Sequence, residues 1–190
     1  MQLYALHELE SANGKYKTGP VTDHAAAVAL DEWWAYYAGS LEDGTAANGY
    51  GPYILVEKHS KTFDTGGHKV GNDGVSSVHA ILLAGTKEIK SLMRAAGNDL
   101  KINNIIKCTR AQIKVPIIQV CIEYAYKTDP TTKYAGDSNN PGRKAEMWAF
   151  CAGVLPFLHE ANPNDAKVLR AETDVIRTFP LTPKIQSSPR

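Results

Sequence analysis

Apolar residues recur at helical intervals along most of this chain of 190 residues. Between residues 77 and 96, for example, Leu82, Ile89 and Met93 fall on one face of a helix, because each turn takes three to four residues. The same periodicity predicts helices over about 23–39, 77–96, 99–115, 116–127, 142–160 and 164–177. The pattern therefore predicts an all-α fold, a single helical domain of five to six helices over residues 21–178.

Breaker residues set the expected limits of these helices. Gly14 and the Gly19-Pro20 pair predict an irregular segment over 1–20, and residues 179–190 resemble a tail or linker. Pro116 is expected to open a new helix, because inside a helix it would remove a backbone hydrogen bond.

Residues 42–76 are rich in glycine and predict a long loop. Within the loop, only 53–57 indicates a strand or a buried helical turn. Loops of this length usually have a function or are mobile. We expect an ordered loop that covers one end of the helical bundle.

The most aromatic stretch of the chain is partly repeated far downstream. Aligning residues 32–41, EWWAYYAGSL, with residues 146–155, EMWAFCAGVL, gives six identical positions of ten. Self-similarity at a fixed offset is typical of internal repetition. We therefore expect an internal duplication, in which the helices that carry Glu32 and Glu146 pack near each other about an approximate twofold axis.

Composition narrows the class of protein. The net charge is +1 and 43% of the residues are hydrophobic, which predicts a full core and no nucleic-acid patch. No apolar run approaches the roughly 20 residues of a membrane span. The first residues lack the apolar stretch of a signal peptide, so we expect a cytosolic protein or a domain of a longer precursor.

Neither the cysteines nor any familiar catalytic motif indicates an enzymatic site in this sequence. Cys108, Cys121 and Cys151 are widely spaced in apolar surroundings without a CxxC pair, which predicts buried free thiols. The chain has no HExxH, ExxH, P-loop, GxSxG or GxGxxG sequence. We therefore expect no catalytic residues and no enzymatic activity, although paired carboxylates acting on a metal remain an open alternative.

Polar side chains inside the apolar helices are the remaining candidates for a site. Glu32 and Tyr36 share a face at a spacing of four, and Gln119, Glu123 and Tyr126 share another. Such oxygen donors, with the imidazole nitrogen of a histidine, suit ferric or other oxygen-seeking cations. Each residue alone also fits a structural role. A tyrosine can pack in the core with its hydroxyl at the protein surface, and a buried histidine can simply hydrogen-bond a neighbouring group.

Four segments carry a resemblance to a known family. They are ALDEWWAYYAGSLE (29–42), YILVEKHSKTF (53–63), VPIIQVCIEYAYK (115–127) and KAEMWAFCAGVLPFLHEANPNDA (144–166). In order and rough spacing over about 23–168, they resemble the iron-assimilation proteins of algae, which include secreted, iron- and carbon-dioxide-responsive proteins and are grouped with the diatom phytotransferrins.

The resemblance implies capture of ferric iron at the cell surface, by a secreted protein, with carbonate as a synergistic anion. It also implies tandem copies of the domain in a longer chain. The departures from the family pattern are Ser60 and Gly66, where cysteines are usual, and Glu123, where an arginine is common. They put a family disulfide and the family's mode of carbonate binding in doubt.

The resemblance and the polar pattern together give one site hypothesis. The expected metal ligands are Glu32, Tyr37, Tyr124, Tyr126, Glu146 and His159. Lys58 is expected to serve the anion, with Gln119 and Tyr53 in support. We expect the two glutamates and the histidine to converge in one partly buried pocket. The alternative is a structural or interaction module with the same fold and no metal site.

Overall fold

The structure is a computed structural model that describes residues 2–18, 24–39, 51–66, 76–95, 99–134, 136 and 140–174. These residues form seven helices and one isolated bridge between Gly66 and Ser76. The helices are α1 (Gln2–Thr18), α2 (Ala25–Ala38), α3 (Pro52–Thr62), α4 (Ser77–Arg94), α5 (Asp99–Thr128), α6 (Pro141–Ala161) and α7 (Pro163–Thr173). The all-α prediction is confirmed, but the described part has more helices than the five to six expected, and the internal duplication stays a prediction.

The first helix corrects the expectation of an irregular start. Ala5, Leu9 and Ala12 are fully buried and lie on one face of α1, which packs against α2. A helical glycine costs about 1 kcal/mol relative to alanine, whereas burying one leucine contributes about 1.5–3 kcal/mol. Gly14 therefore does not break α1.

The predicted long loop contains a helix. Pro52 stands in the first turn of α3, where a proline fits well, and Val56 is buried on the inner face. The prediction of a strand or a single turn at 53–57 was therefore too short. The parts of the predicted loop at 42–50 and 67–75 lie outside the described residues, as does the predicted tail at 179–190.

Pro116 lies inside α5 and does not open a new helix. The apolar stripe runs through the proline, because Ile113 and Val120 are both fully buried and are separated by two helical turns. Burial on both sides offsets the roughly 3 kcal/mol that an internal proline costs a helix. The two helices predicted over 99–127 are therefore one.

Helix termini follow the sequence signals more closely. The side chain of Ser76 accepts a hydrogen bond from the backbone N–H of Val78 at 3.3 Å, as expected of an N-cap. Gly39 ends α2 with a φ of 66°, the left-handed region that glycine adopts without a steric penalty. Asn140 and Asn162 cap α6 and α7 with their side-chain oxygens.

The chain divides into two compact units, residues 1–119 and 120–190. The expected limits of the helical domain, 21–178, stay a prediction. The core of unit 1 contains the fully buried side chains of Leu9, Leu30, Trp33, Tyr37, Leu82, Ile89, Ile102 and Ile113. In unit 2, α6 packs against α7 around Val154 and Ala166. Among the described residues, no helix has the length and apolar character to span a membrane.

A disulfide within unit 2 overturns the prediction of three buried free thiols. Cys121 of α5 is bonded to Cys151 of α6, with their Cα atoms 4.9 Å apart, and Cys108 is exposed. The partners are 30 residues apart in sequence. Only the pairing of two helices brings them together, which cysteine spacing alone does not reveal.

Candidate functional site

The residues predicted for the site divide between the two units. Glu32, Tyr37, Tyr53, Lys58 and Gln119 belong to unit 1. Tyr124, Tyr126, Glu146 and His159 belong to unit 2. Each unit is described by itself, so the convergence of Glu32 with Glu146 and His159 stays a prediction.

Unit 2 brings together Tyr124 and Glu146. The Tyr124 hydroxyl is hydrogen-bonded to the Glu146 carboxylate, its ring stacks on Phe150 with centroids 5.6 Å apart, and the Lys127 ammonium lies 5.0 Å from the ring centre. Burial and the hydrogen bond to Glu146 raise the pKa of Tyr124 to about 12. The phenol is therefore protonated at neutral pH and donates to the carboxylate.

Tyr126 and His159 stand apart from that pair. The Tyr126 ring is exposed and meets Tyr134 edge-on at 5.8 Å, and His159 is exposed near the end of α6. Glu146 and His159 are 13 residues apart in one helix (159 − 146), about 20 Å along its axis. A single ion cannot bind both within this helix.

Glu32 and Glu146 were expected to be buried glutamates, and both are exposed. Lys58 is exposed on α3. Gln119 is buried, and its side-chain amide donates to the Thr65 hydroxyl at 3.2 Å. This exposure does not fit the partly buried pocket that was expected around the two glutamates.

A different polar cluster lies in the core of unit 1. Tyr37 of α2 and His79 in the first turn of α4 are 0% and 2% exposed, and the Tyr37 hydroxyl is hydrogen-bonded to Nδ1 of His79. The phenol reaches the imidazole because α2 and α4 pack against each other. This buried contact between an oxygen and a nitrogen donor is the centre of the candidate site.

Glu57 of α3 lies beside the other ring nitrogen of His79, Nε2. Its Oε1 lies 3.0 Å from Nε2 of His79, although the two are not aligned for a hydrogen bond. The same Oε1 accepts a hydrogen bond from the backbone N–H of Ser76 at 3.2 Å. Because Ser76 caps α4, this contact fixes the carboxylate at the start of the helix that carries His79.

Aromatic rings enclose the pair. Tyr53 of α3 stacks on His79 with centroids 3.8 Å apart, and Trp33 stacks on Tyr37 at 5.8 Å. The Trp33 indole N–H donates to the Thr86 hydroxyl at 3.0 Å, which locks the ring to α4. Tyr53 is only partly buried, so it forms the side of the cluster nearest to solvent.

Burial controls the protonation of the cluster. It lowers the pKa of His79 to about 4, against an opposing backbone hydrogen bond with Tyr53. Burial, followed by the charges of Tyr53 and Glu57, raises the pKa of Tyr37 well above its ordinary value. At neutral pH both groups are therefore uncharged. The Glu57 carboxylate beside Nε2 favours the tautomer with the ring proton on Nε2, in which Nδ1 accepts from the Tyr37 hydroxyl.

The sequence analysis named Tyr37 and Tyr53 but missed His79 and Glu57. A signal for His79 exists, since it stands three residues before Leu82 in the buried stripe of α4, where an imidazole needs a polar partner. Glu57 gives no such signal, because a glutamate beside a lysine on a short helix is typical of a solvated surface.

The donor set at this site depends on tyrosine. Among the described residues, no group of three or more histidine, cysteine, aspartate or glutamate side chains could hold a metal ion. A cation at this cluster would need the phenol oxygen of Tyr37 beside the imidazole of His79. In comparisons with known proteins, no protein-family model, curated protein or solved structure matches this chain.

Proposed function

We propose that this protein is a metal-binding module that captures ferric iron, with Tyr37 and His79 as the central ligands in unit 1. The observation that carries the proposal is the buried hydrogen bond between the Tyr37 hydroxyl and Nδ1 of His79. A ferric ion would replace the proton that these two atoms share. Phenolate oxygen and imidazole nitrogen are donors that suit this ion.

Glu57 supports the same chemistry without binding the ion. Its carboxylate lies beside Nε2, so it favours the tautomer with the proton on Nε2 and the lone pair on Nδ1. Carboxylates behind metal-binding histidines commonly orient the ring in this way and raise its basicity. In this proposal Glu57 is therefore a positioning residue.

We propose that an anion approaches the cluster from its partly exposed side. Tyr53 covers His79 there, with its ring stacked on the imidazole. Two protein ligands leave coordination positions open on a ferric ion. In keeping with the resemblance to algal iron-assimilation proteins, we propose that carbonate takes part in filling them, with Lys58 on the same helix as its candidate partner.

The disulfide supports the proposed location of this activity. Bonds such as Cys121–Cys151 persist in oxidising compartments and are rare in the cytosol. Secretion or display at the cell surface is therefore part of the proposal, as are further tandem copies of the domain in a longer chain.

A structural or interaction module without a metal is the second candidate. It is favoured by the lack of a group of three histidine, cysteine or carboxylate ligands in the described residues. In that case, the Tyr37–His79 pair would only satisfy its own polar atoms between α2 and α4. Such a pair stabilises a fold by about 1 kcal/mol without binding anything.

Titration with ferric citrate, with and without bicarbonate, distinguishes the two candidates. Tyrosinate bound to ferric iron absorbs visible light, so the wild-type protein is expected to become coloured at one ion per chain. Tyr37→Phe should abolish the band, because it removes the phenol oxygen and leaves the ring. Tyr126→Phe, at an exposed tyrosine of unit 2, is the matched control and should keep the band.

The histidine gives a second arm to this experiment. His79→Gln should lower ferric affinity by at least about tenfold, which corresponds to the loss of roughly 1.4 kcal/mol. Circular dichroism of each variant checks that the helices remain. A wild-type protein that stays colourless with ferric citrate and bicarbonate would exclude iron capture and favour the structural module.

A further inference from the structure

The outward face of α6, in unit 2, is apolar over about three turns. The inward face carries Cys151, which is bonded to α5, and Val154, which lies where α6 packs against α7. On the opposite side of the helix, apolar residues remain in contact with solvent, and Trp148 is 48% exposed. The exposed apolar residues there are Ala145, Trp148, Ala149 and Pro156. A helix with apolar residues on both faces is usually covered on both, so this face has the character of an interaction surface.

A row of side chains at intervals of four residues runs along this outward face and is here called the α6 row. Its members are Lys144, Trp148, Ala152, Pro156 and Glu160. Residues four apart lie above one another on one side of a helix. The row therefore has a cation at one end, an anion at the other and an alanine at its centre, with an apolar ring on each side of the alanine. Reversed and placed against itself, the row sets cation against anion, indole against proline ring and alanine against alanine.

We propose that two copies of this chain associate through their α6 rows, in antiparallel orientation, with Ala152 at the crossing point. Rows of residues spaced by four align when two helices cross at about 50°, the commonest angle between packed helices. The small side chain of Ala152 allows a close approach there. Trp148 then packs on Pro156 of the second copy, and Lys144 lies beside Glu160 of the second copy. Because the interface is twofold symmetric, each of these contacts occurs twice.

The charges of the α6 row select this arrangement over the alternatives. Parallel association of the two helices would bring like charges together at both ends, which is unfavourable. In the antiparallel arrangement, Lys144 also lies near the C-terminal end of the second helix, where the helix dipole favours a cation. The ion pairs stay accessible to solvent, so they set the orientation more than the affinity. Most of the affinity is expected from Trp148, because tryptophan commonly dominates the energetics of such interfaces.

Sedimentation equilibrium of the full chain at increasing protein concentration tests the association. The mean molar mass of the wild type is expected to rise from that of the monomer toward twice that value. Trp148→Ala should weaken dimerisation by at least about tenfold, since it removes the large apolar contact. Tyr126→Ala is the matched control, because Tyr126 is an aromatic residue of unit 2 with nearly the same exposure, 49%, and lies on α5. This control variant should dimerise as the wild type does.

A charge-swap experiment tests the antiparallel register. Lys144→Glu leaves an α6 row with acidic residues at both ends, and Glu160→Lys leaves a row with basic residues at both ends. Each variant alone should dimerise severalfold more weakly than the wild type, because like charges then meet at both ends of the row. An equimolar mixture of the two variants should associate about as well as the wild type, because opposite charges then meet at both ends.

Circular dichroism of each variant checks the fold, and ferric absorption should be unchanged, because Tyr37 and His79 belong to unit 1. Failure of this proposal is therefore distinguishable from failure of the ferric site. A wild-type protein that stays monomeric at every concentration would overturn the interface. A dimer that Tyr126→Ala weakens and Trp148→Ala does not would overturn it as well. Single charge variants that dimerise as strongly as the wild type would overturn the antiparallel register.

Discussion

At the scale of single residues, His79 has the most constrained environment in unit 1. Tyr37 occupies one ring nitrogen, Glu57 lies beside the other, and Tyr53 covers one ring face. Desolvation disfavours the imidazolium, whereas a backbone hydrogen bond with Tyr53 favours it, and desolvation dominates. A neutral histidine is ready to bind a cation without first losing a proton.

This protonation state predicts a loss of stability in mild acid. The folded pKa of His79 is about 4, below the ordinary value of 6.5, so between these values the unfolded chain binds a proton that the folded chain does not. Stability from this group is complete above pH 6.5 and falls as the pH is lowered toward 4, by up to about 3 kcal/mol. Urea denaturation at pH 7.5 and pH 5 measures the difference.

The control for this prediction is His79→Gln, which cannot titrate. Its stability should change less than that of the wild type between the two pH values, even if it is lower throughout. An equal change in both proteins would assign the acid sensitivity to other groups. NMR of the imidazole offers an independent check, because His79 should not titrate near pH 6.5 as an exposed histidine does.

The sequence predicted part of this cluster. Resemblance to a family pointed to Tyr37 and Tyr53, which lie on either side of His79. His79 and Glu57 come from different helices, and only the packing of α2, α3 and α4 brings them together. Periodicity states which face of a helix is buried, but it does not state which helix covers that face.

At the scale of elements, the pair α5 and α6 depends on a covalent bond. Cys121 and Cys151 join the second half of α5 to the middle of α6. Both cysteines are buried, and the Tyr124–Glu146 hydrogen bond lies within two turns of the bond. The disulfide therefore ties the C-terminal part of α5 to α6.

Removing this disulfide should destabilise unit 2. The double variant Cys121→Ser, Cys151→Ser should lose about 3–4 kcal/mol, the usual effect for a closed loop of this size. Thermal denaturation followed by circular dichroism measures the change. Cys108→Ser is the control, because that thiol is exposed and free, and it should be neutral. Equal stability of the wild type with and without dithiothreitol would contradict the prediction.

The two copies of the partial repeat, residues 32–41 and 146–155, both begin within helices but differ in the contacts of their side chains. Both copies form helices, and Tyr37 and Cys151 occupy equivalent positions that are buried in each. Their partners differ, a histidine for the tyrosine and a cysteine for Cys151. Gly39 ends α2, whereas Gly153 lies inside α6. Burial is shared at this position but not throughout, since Trp34 is half-buried and Trp148 is exposed. The chemistry depends on the neighbouring helix.

At the scale of the whole molecule, the chain consists of two compact units that are each described by themselves. The sequence predicted the helical class correctly, since helical periodicity is a local property. Periodicity gives no signal for the division near Gln119, because α5 runs through it without a break in the helix. The predicted ligand set therefore combined residues of unit 1 with residues of unit 2.

The two site hypotheses make opposite predictions for unit 2. The cluster of Tyr37, His79 and Glu57 lies wholly in unit 1, so the double variant Glu146→Gln, His159→Ala should keep the ferric absorption band at full intensity. If that variant lost the ferric absorption band and Tyr37→Phe kept it, the ferric site would lie in unit 2.

The pH dependence of iron binding then tests which proton the ion displaces. Burial keeps Tyr37 protonated throughout the neutral range, so each ferric ion bound there must release the phenol proton. At constant free ferric activity and without bicarbonate, the logarithm of the affinity should rise by about one for each pH unit between pH 6 and 8. His79 adds nothing to this slope, because it is already neutral above about pH 4. A slope of zero, measured by competition with a chelator, would show that the phenol does not bind the ion.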